Sequence, residues 1–162
     1  MFAFACFLCG TLAVGTAQAA TKPLLPGSVQ SPAQFVPPPP PTEPTLADRA
    51  VRLARTQLGV PYVYGGASPG GFDCSGLVMW VYGRLGVALP HNAAALYSVG
   101  RPIPTSRMKP GDLVFFHGLG HVGIYIGHGL MIHAPQTGEA VEVEALGERS
   151  GAVEGARRIT TA

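Results

Sequence analysis

The sequence predicts an α+β domain in which N-terminal helices pack on an antiparallel β-sheet. Apolar residues recur at helical spacing between positions 46 and 84, and short apolar runs separated by glycines follow from position 112. Helices followed by a series of strands are typical of this class. With 162 residues, 47% hydrophobic and 12% charged, the chain is long enough for one domain with its own core.

Three helices are expected. The first runs from residue 46 to 58 and ends at Gly59, with its apolar face formed by Ala50, Leu53, Ala54 and Leu58. The second runs from residue 74 to about 84, with Asp73 as its N-cap. A short third helix is expected over residues 92 to 99.

Four strands are expected over residues 112 to 116, 121 to 126, 130 to 134 and 140 to 143. The middle two form a hairpin around a glycine-flanked His128. A three-residue loop at positions 127 to 129 places His121 and His133 on one face of the hairpin. A two-residue turn would place them on opposite faces, because a slip of one residue inverts a strand.

Residues 1–19 are predicted to be a cleaved signal peptide. They are uncharged and mostly apolar, and they end in the small-residue motif Ala17-Gln18-Ala19. The alternative is an uncleaved N-terminal anchor, because no Lys or Arg precedes the apolar run. Residues 20–45 carry five consecutive prolines at positions 37 to 41 and are predicted to be an extended linker. The folded domain is expected over residues 46–158.

Cleavage after Ala19 would remove Cys6 and Cys9 and leave Cys74 as the only cysteine of the mature chain. A lone cysteine in an exported protein is either buried and inert or a reactive thiol. Its position favours reactivity, because the first turn of a helix directs unpaired backbone N–H groups at it and stabilises a thiolate.

A cysteine nucleophile needs a base and a group that orients the base. His121 and His133 can supply these roles from the predicted hairpin. A metal site formed by these two with His128 or Glu139 is the alternative, but neither HExxH nor paired CxxC motifs accompany them, so no metal and no cofactor is expected. His128 is expected to be exposed at the turn, and neither His91 nor His117 has a partner identifiable from the sequence.

The formal charge of +2 argues against nucleic-acid binding, which would require clustered basic residues. Arg49, Arg52 and Arg55 are spaced three apart, as on the solvated face of a helix.

Four segments in order, GVPYVYGGASPGGFDCSGLV, LPHNAAALY, KPGDLVFF and GHVGIYIGHGLMIHAP, resemble the NlpC-type family of cell-wall cysteine peptidases. The resemblance spans about residues 46 to 146. It implies a papain-like α+β fold and hydrolysis of peptidoglycan stem peptides, typically at the bond between the D-glutamate side chain and a diamino acid such as meso-diaminopimelate.

The resemblance assigns Cys74 as nucleophile, His121 as base and His133 as the polar third residue. Tyr64 stands where many members have Trp, and His91 where many have Arg. The expected mechanism begins from a Cys74–His121 ion pair. The backbone N–H of Cys74 stabilises the oxyanion with help from Tyr62 or Tyr64, and Asp73 and Ser75 contact the substrate.

Three alternatives stay open at this point: an amidase or acyltransferase on the same fold, a binding module without catalysis, and a secreted lytic effector. The expected location is outside the cytoplasm, at the cell wall or in the periplasm. The expected partner is peptidoglycan, with no nucleic acid and with a membrane tether only if the signal is uncleaved.

Overall fold

The computed structural model describes residues 43–149 and 151–160. The predicted signal peptide and almost all of the predicted linker lie outside the described residues. Within the described part of the chain, no helix has the length and apolar character needed to span a membrane.

The described residues form three α-helices, eight β-strands and one 3-10 turn. In chain order these are α1 (Leu46–Arg55), β1 (Ala67–Ser68), β2 (Gly71–Phe72), α2 (Cys74–Gly83), α3 (Ala93–Tyr97), β3 (Arg101–Ile103), a 3-10 turn (Thr105–Arg107), β4 (Leu113–Phe116), β5 (His121–Gly127), β6 (Leu130–His133), β7 (Glu142–Ala145) and β8 (Val153–Arg158). The order of helices before most of the strands confirms the predicted α+β class.

Helix α1 begins at a capping box and is shorter than predicted. Thr45 Oγ1 accepts from the Asp48 backbone N–H at 3.1 Å, and Asp48 Oδ2 accepts from the Thr45 N–H at 3.0 Å. Ala50 and Ala54 are fully buried, and the three arginines are exposed, as predicted. The helix ends at Arg55 instead of residue 58, so Leu58 leaves the apolar face and is 41% exposed.

Helix α2 is the central helix of the core. Leu77, Val78 and Val81 are completely buried, and Tyr82 is 1% exposed with its hydroxyl donating to the Gly111 carbonyl. Its bounds agree with the prediction to within one residue. Because the helix is apolar on nearly all sides, it packs simultaneously against α1, the β1–β2 ribbon and β5.

Six strands form one antiparallel sheet in the order β3-β8-β4-β5-β6-β7. Side chains alternate across it, with Leu113 and Phe115 in the main core shared with the helices, and Val114 and Phe116 in a smaller cluster with Met131. The sequence prediction missed β3 and β8, which pair with each other and extend the sheet beyond β4, and it also missed the short β1–β2 ribbon.

The hairpin of β5 and β6 has the predicted register at its base but not the predicted loop. Gly127 pairs with Leu130, so the turn has two residues, His128 and Gly129, both at positive φ (54° and 73°). A bulge between Tyr125 and Gly127 adds one residue to β5 and restores the pairing of Ile124 with Ile132. The bulge therefore cancels the inversion that a two-residue turn would otherwise cause.

The last predicted strand is shifted by two residues. Strand β7 starts at Glu142 instead of residue 140, because residues 140 and 141 pair with the segment after α1. The Val141 N–H donates to the Val60 carbonyl, and the Gly59 N–H donates to the Val141 carbonyl, each at 2.8 Å. This pairing ties the loop before β1 to the far edge of the sheet.

Candidate active site

Asp73 organises the start of α2. Its carboxylate accepts from the backbone N–H of Gly76 at 2.6 Å, from the Ser75 hydroxyl at 3.0 Å and from the Gly65 N–H at 3.0 Å. Burial acts to raise the pKa of this carboxyl, but the hydrogen bonds from Gly76, His91 and Ser75 outweigh it and lower the pKa. Asp73 is the N-cap predicted from the sequence, and it also holds the glycine loop against the helix.

The loop before β1 approaches α2 at a distance that only glycine allows. The Gly66 carbonyl accepts from the Asp73 N–H at 2.9 Å. A Cβ atom at Gly76 would lie 1.9 Å from the Gly66 carbonyl oxygen, and one at Gly66 would lie 2.5 Å from the carbonyl oxygen of Gly71. The glycines of this segment therefore permit close backbone packing beneath the nucleophile position.

Cys74 is the first residue of α2, half-buried and not in a disulfide. The backbone N–H groups of Val122, Ser75 and Cys74 itself face its sulfur and favour the anion. Burial opposes them and raises the pKa of the thiol, and the Asp73 carboxylate adds to the rise. The contact with Val122 puts the thiol beside β5, one residue along from His121.

His121 and His133 share one face of the hairpin, as the three-residue loop would have placed them. His121 Nε2 lies 2.9 Å from His133 Nδ1, and the rings are nearly perpendicular (89°). The two histidines are 5% and 0% exposed. Since Nε2 of His121 is engaged with His133, Nδ1 is the nitrogen left to serve as a base.

The electrostatics of the pair differ from the sequence expectation of an ion pair. Burial, followed by the nearby Arg149 charge, lowers the pKa of His121 to about 3 and that of His133 to about 4. With the pKa of the Cys74 thiol raised, both partners favour their neutral forms in the free protein.

A cleft of about 390 Å³ opens over Cys74, lined among others by Tyr62, Tyr64, Ser75 and His91. The two site histidines are not among the lining residues. Burial raises the pKa of the Tyr62 phenol, and the neighbouring acidic groups of Cys74 and Asp73 add to the rise, so the phenol keeps its proton as a donor. Tyr64 is 89% exposed at the rim. Of the two tyrosines, Tyr62 is the one whose phenol pKa responds to Cys74.

His91 has a partner that the sequence did not identify. Its Nε2 lies 2.9 Å from both carboxylate oxygens of Asp73, at the wall of the cleft. The contact could have been predicted from the alignment of His91 with the Arg of many family members, because both residue types can donate to a carboxylate. His117 and His128 are exposed, as expected for His128.

Glu144 and Arg149 are two further residues that the sequence did not single out. Glu144 Oε2 lies 3.0 Å from His133 Nε2, and Arg149 Nη1 donates to that oxygen at 2.9 Å. Arg149 Nη1 is also 3.3 Å from His133 Nδ1. The register that pairs Met131 with Glu144 puts this carboxylate diagonal to His133, which no local motif indicates.

Metal coordination was the alternative use of these histidines. Among residues 43–149 and 151–160, no group of three or more His, Cys, Asp or Glu side chains is arranged to hold a metal ion. His128 is exposed at the turn and does not join His121 and His133.

A helix-start cysteine, a strand-borne histidine pair and an antiparallel sheet define a papain-like thiol hydrolase architecture. The sequence model of the NlpC/P60 family matches residues 59–152. The chain therefore belongs to the NlpC/P60 family, which confirms the resemblance noted in the sequence.

Two curated relatives and one solved structure illustrate the similarity. A probable endopeptidase of Mycobacterium tuberculosis (strain H37Rv) is 50% identical over 109 residues, which are 67% of this chain and 28% of the relative. The gamma-D-glutamyl-L-lysine dipeptidyl-peptidase of Bacillus subtilis is 39% identical over 108 residues, covering 63% and 36%. The NlpC/p60 domain of the peptidoglycan hydrolase SagA is 37% identical with a TM-score of 0.64, covering 70% of this chain and 98% of that domain. The chain thus spans about a third or less of both curated relatives.

Proposed function

We propose that this protein is an exported cysteine endopeptidase that hydrolyses peptidoglycan stem peptides. The observation that carries the proposal is the position of Cys74, at the start of α2 in an open cleft and against β5 next to the His121–His133 pair. Membership of the NlpC/P60 family supports this activity, as does its similarity to relatives named as endopeptidases and peptidases.

Acylation starts from the neutral pair. As the Cys74 sulfur attacks the carbonyl carbon of the scissile amide, its proton moves to Nδ1 of His121 and a C–S bond forms. The resulting oxyanion is stabilised by the backbone N–H of Cys74 and the phenol of Tyr62. His121 then returns the proton to the departing amine as the C–N bond breaks, which leaves a thioester.

Deacylation uses the same residues in reverse. His121 Nδ1 takes a proton from a water molecule as the water oxygen attacks the thioester carbonyl. The C–S bond then breaks, the carboxylic acid product leaves, and the sulfur recovers its proton from His121. His133 keeps the imidazole of His121 oriented through both halves of the reaction, because its Nδ1 accepts the 2.9 Å hydrogen bond from His121 Nε2.

The proposed bond joins the side-chain carboxyl of D-glutamate to a diamino acid, with meso-diaminopimelate or lysine as the residue that follows. The name of the B. subtilis relative, which is 39% identical over 108 residues, supports a γ-D-glutamyl bond. Ser75 and Asp73 line the cleft beside the thiol and are suited to contact the polar backbone of such a peptide. Export is proposed from the apolar, uncharged residues 1–19.

The test is digestion of purified muropeptides followed by mass spectrometry. The native protein is expected to release fragments whose new termini identify the bond, and Cys74→Ala is expected to release none while keeping its thermal stability. Alkylation of the thiol should abolish turnover and a chelator should leave it unchanged.

Two outcomes would reject the proposal: full turnover by Cys74→Ala, or turnover of lipid or small amide substrates with none of muropeptides. Inhibition by chelators without inhibition by alkylation would favour the metal alternative instead. Cleavage at another bond of the stem peptide would reject only the assignment of the bond.

A further inference from the structure

Two oppositely charged side chains, Arg149 and Glu144, lie against His133 and leave one arrangement of ring protons favourable. We propose that Arg149 and Glu144 act as positioning residues that select the imidazole tautomers, so that Nδ1 is the unprotonated nitrogen of the neutral His121 ring. This inference deepens the proposed function and rests on His121 being the base of that reaction.

The argument starts at Arg149, which is always a donor. Its Nη1 atom lies 3.3 Å from Nδ1 of His133 and 2.9 Å from Oε2 of Glu144. A proton on His133 Nδ1 would bring the positive hydrogen of the ring N–H close to the guanidinium charge. Nδ1 of His133 is therefore an acceptor, and the ring proton of the neutral imidazole sits on Nε2.

Glu144 favours the same tautomer through the other ring nitrogen. Its Oε2 atom lies 3.0 Å from His133 Nε2, off the direction required for a hydrogen bond but close enough for strong electrostatic attraction to an N–H. A bare Nε2 would instead put the partial negative charge of an unprotonated nitrogen close to a carboxylate. His133 is completely buried, so no water competes for these two nitrogens.

The tautomer of His133 determines that of His121. Because His133 Nδ1 accepts, His121 Nε2 must carry the proton of their 2.9 Å hydrogen bond, and Nδ1 of neutral His121 is bare. The opposite arrangement would put the His121 proton on Nδ1 and remove its ability to accept from the Cys74 thiol. Arg149 and Glu144 thus act on the base through one intervening ring.

Other charged groups near the two rings do not reverse this preference. Three neighbouring groups disfavour protonation of His121 and lower its pKa: Arg149, His133 and His117. Around His133, the carboxylate of Glu142 is 3.8 Å from Nε2, and Glu139 acts to raise the His133 pKa against the larger effects of burial and Arg149. Among these charged groups, Arg149 is the one with an N–H donor near His133 Nδ1, at 3.3 Å.

The test measures ring-nitrogen chemical shifts of His121 and His133 by NMR as a function of pH in the mature chain from Ala20. In the native protein both rings are expected to carry their proton on Nε2 and to be neutral at pH 5. In Arg149→Met the tautomers should become mixed and both histidines should titrate about one pH unit or more higher. Turnover of muropeptides should fall at least about tenfold.

Matched variants separate this effect from loss of stability. Arg158→Met removes a comparable ion pair, Arg158 Nε to Asp112 Oδ1 at 2.7 Å, and should lower the melting temperature without changing either histidine. Arg149→Lys keeps the charge and should shift the titration less than Arg149→Met. If Arg149→Met does not fold, the histidine tautomers of the native protein and the histidine titration of Arg149→Lys still test the inference.

A proton on Nδ1 of native His121, or unchanged histidine titration in folded Arg149→Met, would overturn the inference. Neither measurement uses a substrate. If the tautomers are as predicted but the protein does not cleave muropeptides, only the proposed function is rejected. If the protein cleaves muropeptides but has the opposite tautomers, only this inference is rejected.

Discussion

Burial governs the chemistry available to the three central residues. It raises the pKa of the Cys74 thiol and lowers the pKa of His121 to about 3 and of His133 to about 4, so the charged form of each is disfavoured. Because His121 is protonated only at acidic pH, its ability to accept a proton should persist as pH falls and disappear near its low folded pKa. Protonation at that point leaves a buried cation without a base function.

His121 and His133 should differ in the cost of their loss. We expect His121→Ala to lower kcat on muropeptides by about 10²–10⁴-fold, because it removes the general base. The reduction of kcat in His133→Gln should be at least about tenfold smaller than in His121→Ala. The amide oxygen of Gln can accept from His121 Nε2 as His133 Nδ1 does, and Arg149 would hold that oxygen in place.

The measurement is single-turnover kinetics together with thermal melting of each variant. Native-like melting is required before a kinetic loss is assigned to chemistry, since His133 is completely buried. An equal or larger loss in folded His133→Gln would contradict the division of roles between base and orienting residue.

At the scale of secondary structure, α2 and the glycine loop before β1 form the support of the nucleophile. Gly76 is inside α2, where a Cβ would lie 1.9 Å from the Gly66 carbonyl oxygen, whereas Gly83 in the same helix has no atom within 4 Å of its Cβ position. The helix backbone therefore tolerates a side chain at its end but not where the loop crosses it.

We expect Gly76→Ala to destabilise the protein by about 1–3 kcal/mol, because the loop must move away from the helix start. Turnover should fall with it, since the same movement displaces Asp73 and Cys74. Gly83→Ala is the matched control and should stabilise by about 0.5–1 kcal/mol through higher helix propensity. Thermal melting and muropeptide turnover measure both effects, and equal stability of the two variants would refute the packing argument.

At the scale of the whole molecule, the described residues begin close to a capped helix and end just after a strand inside the sheet. Thr45 closes the capping box of α1, and β8 at the other end of the domain pairs with β4 inside the sheet. Residues 20–45 contribute nine of the 16 prolines and no apolar periodicity, which predicts a spacer with no part in the core. The alternative is an inhibitory segment that lies across the cleft, with Phe35 and Val36 as its apolar contacts.

A chain beginning at Glu43 is expected to fold and to cleave muropeptides as fast as one beginning at Ala20. Glu43 is preferable to Thr45 as the start because it leaves the hydrogen bonds of the capping box intact. Turnover and melting temperature of the two chains are compared under the same conditions. A clear gain in turnover on truncation would identify residues 20–42 as inhibitory and contradict the spacer prediction.

Much of the fold follows from local patterns. Asp73 and the apolar run behind it predicted α2 to within a residue, because N-capping and helical periodicity depend only on neighbours in sequence. Strands β3 and β8 escaped prediction, since their partners lie far away in the chain and their own residues are mixed in polarity. Strand β7 was misplaced because Val141 pairs with Val60 instead of β6.

The sequence by itself determined the class of fold, the cysteine at a helix start and the two histidines of one hairpin. It could not determine how those histidines meet, because their common face depends on a bulge that offsets a two-residue turn. Nor could it identify Glu144 and Arg149 around His133, or His91 on Asp73. These contacts join residues from different elements, and only the register of the sheet and the packing of the loops decide which side chains come within hydrogen-bonding distance.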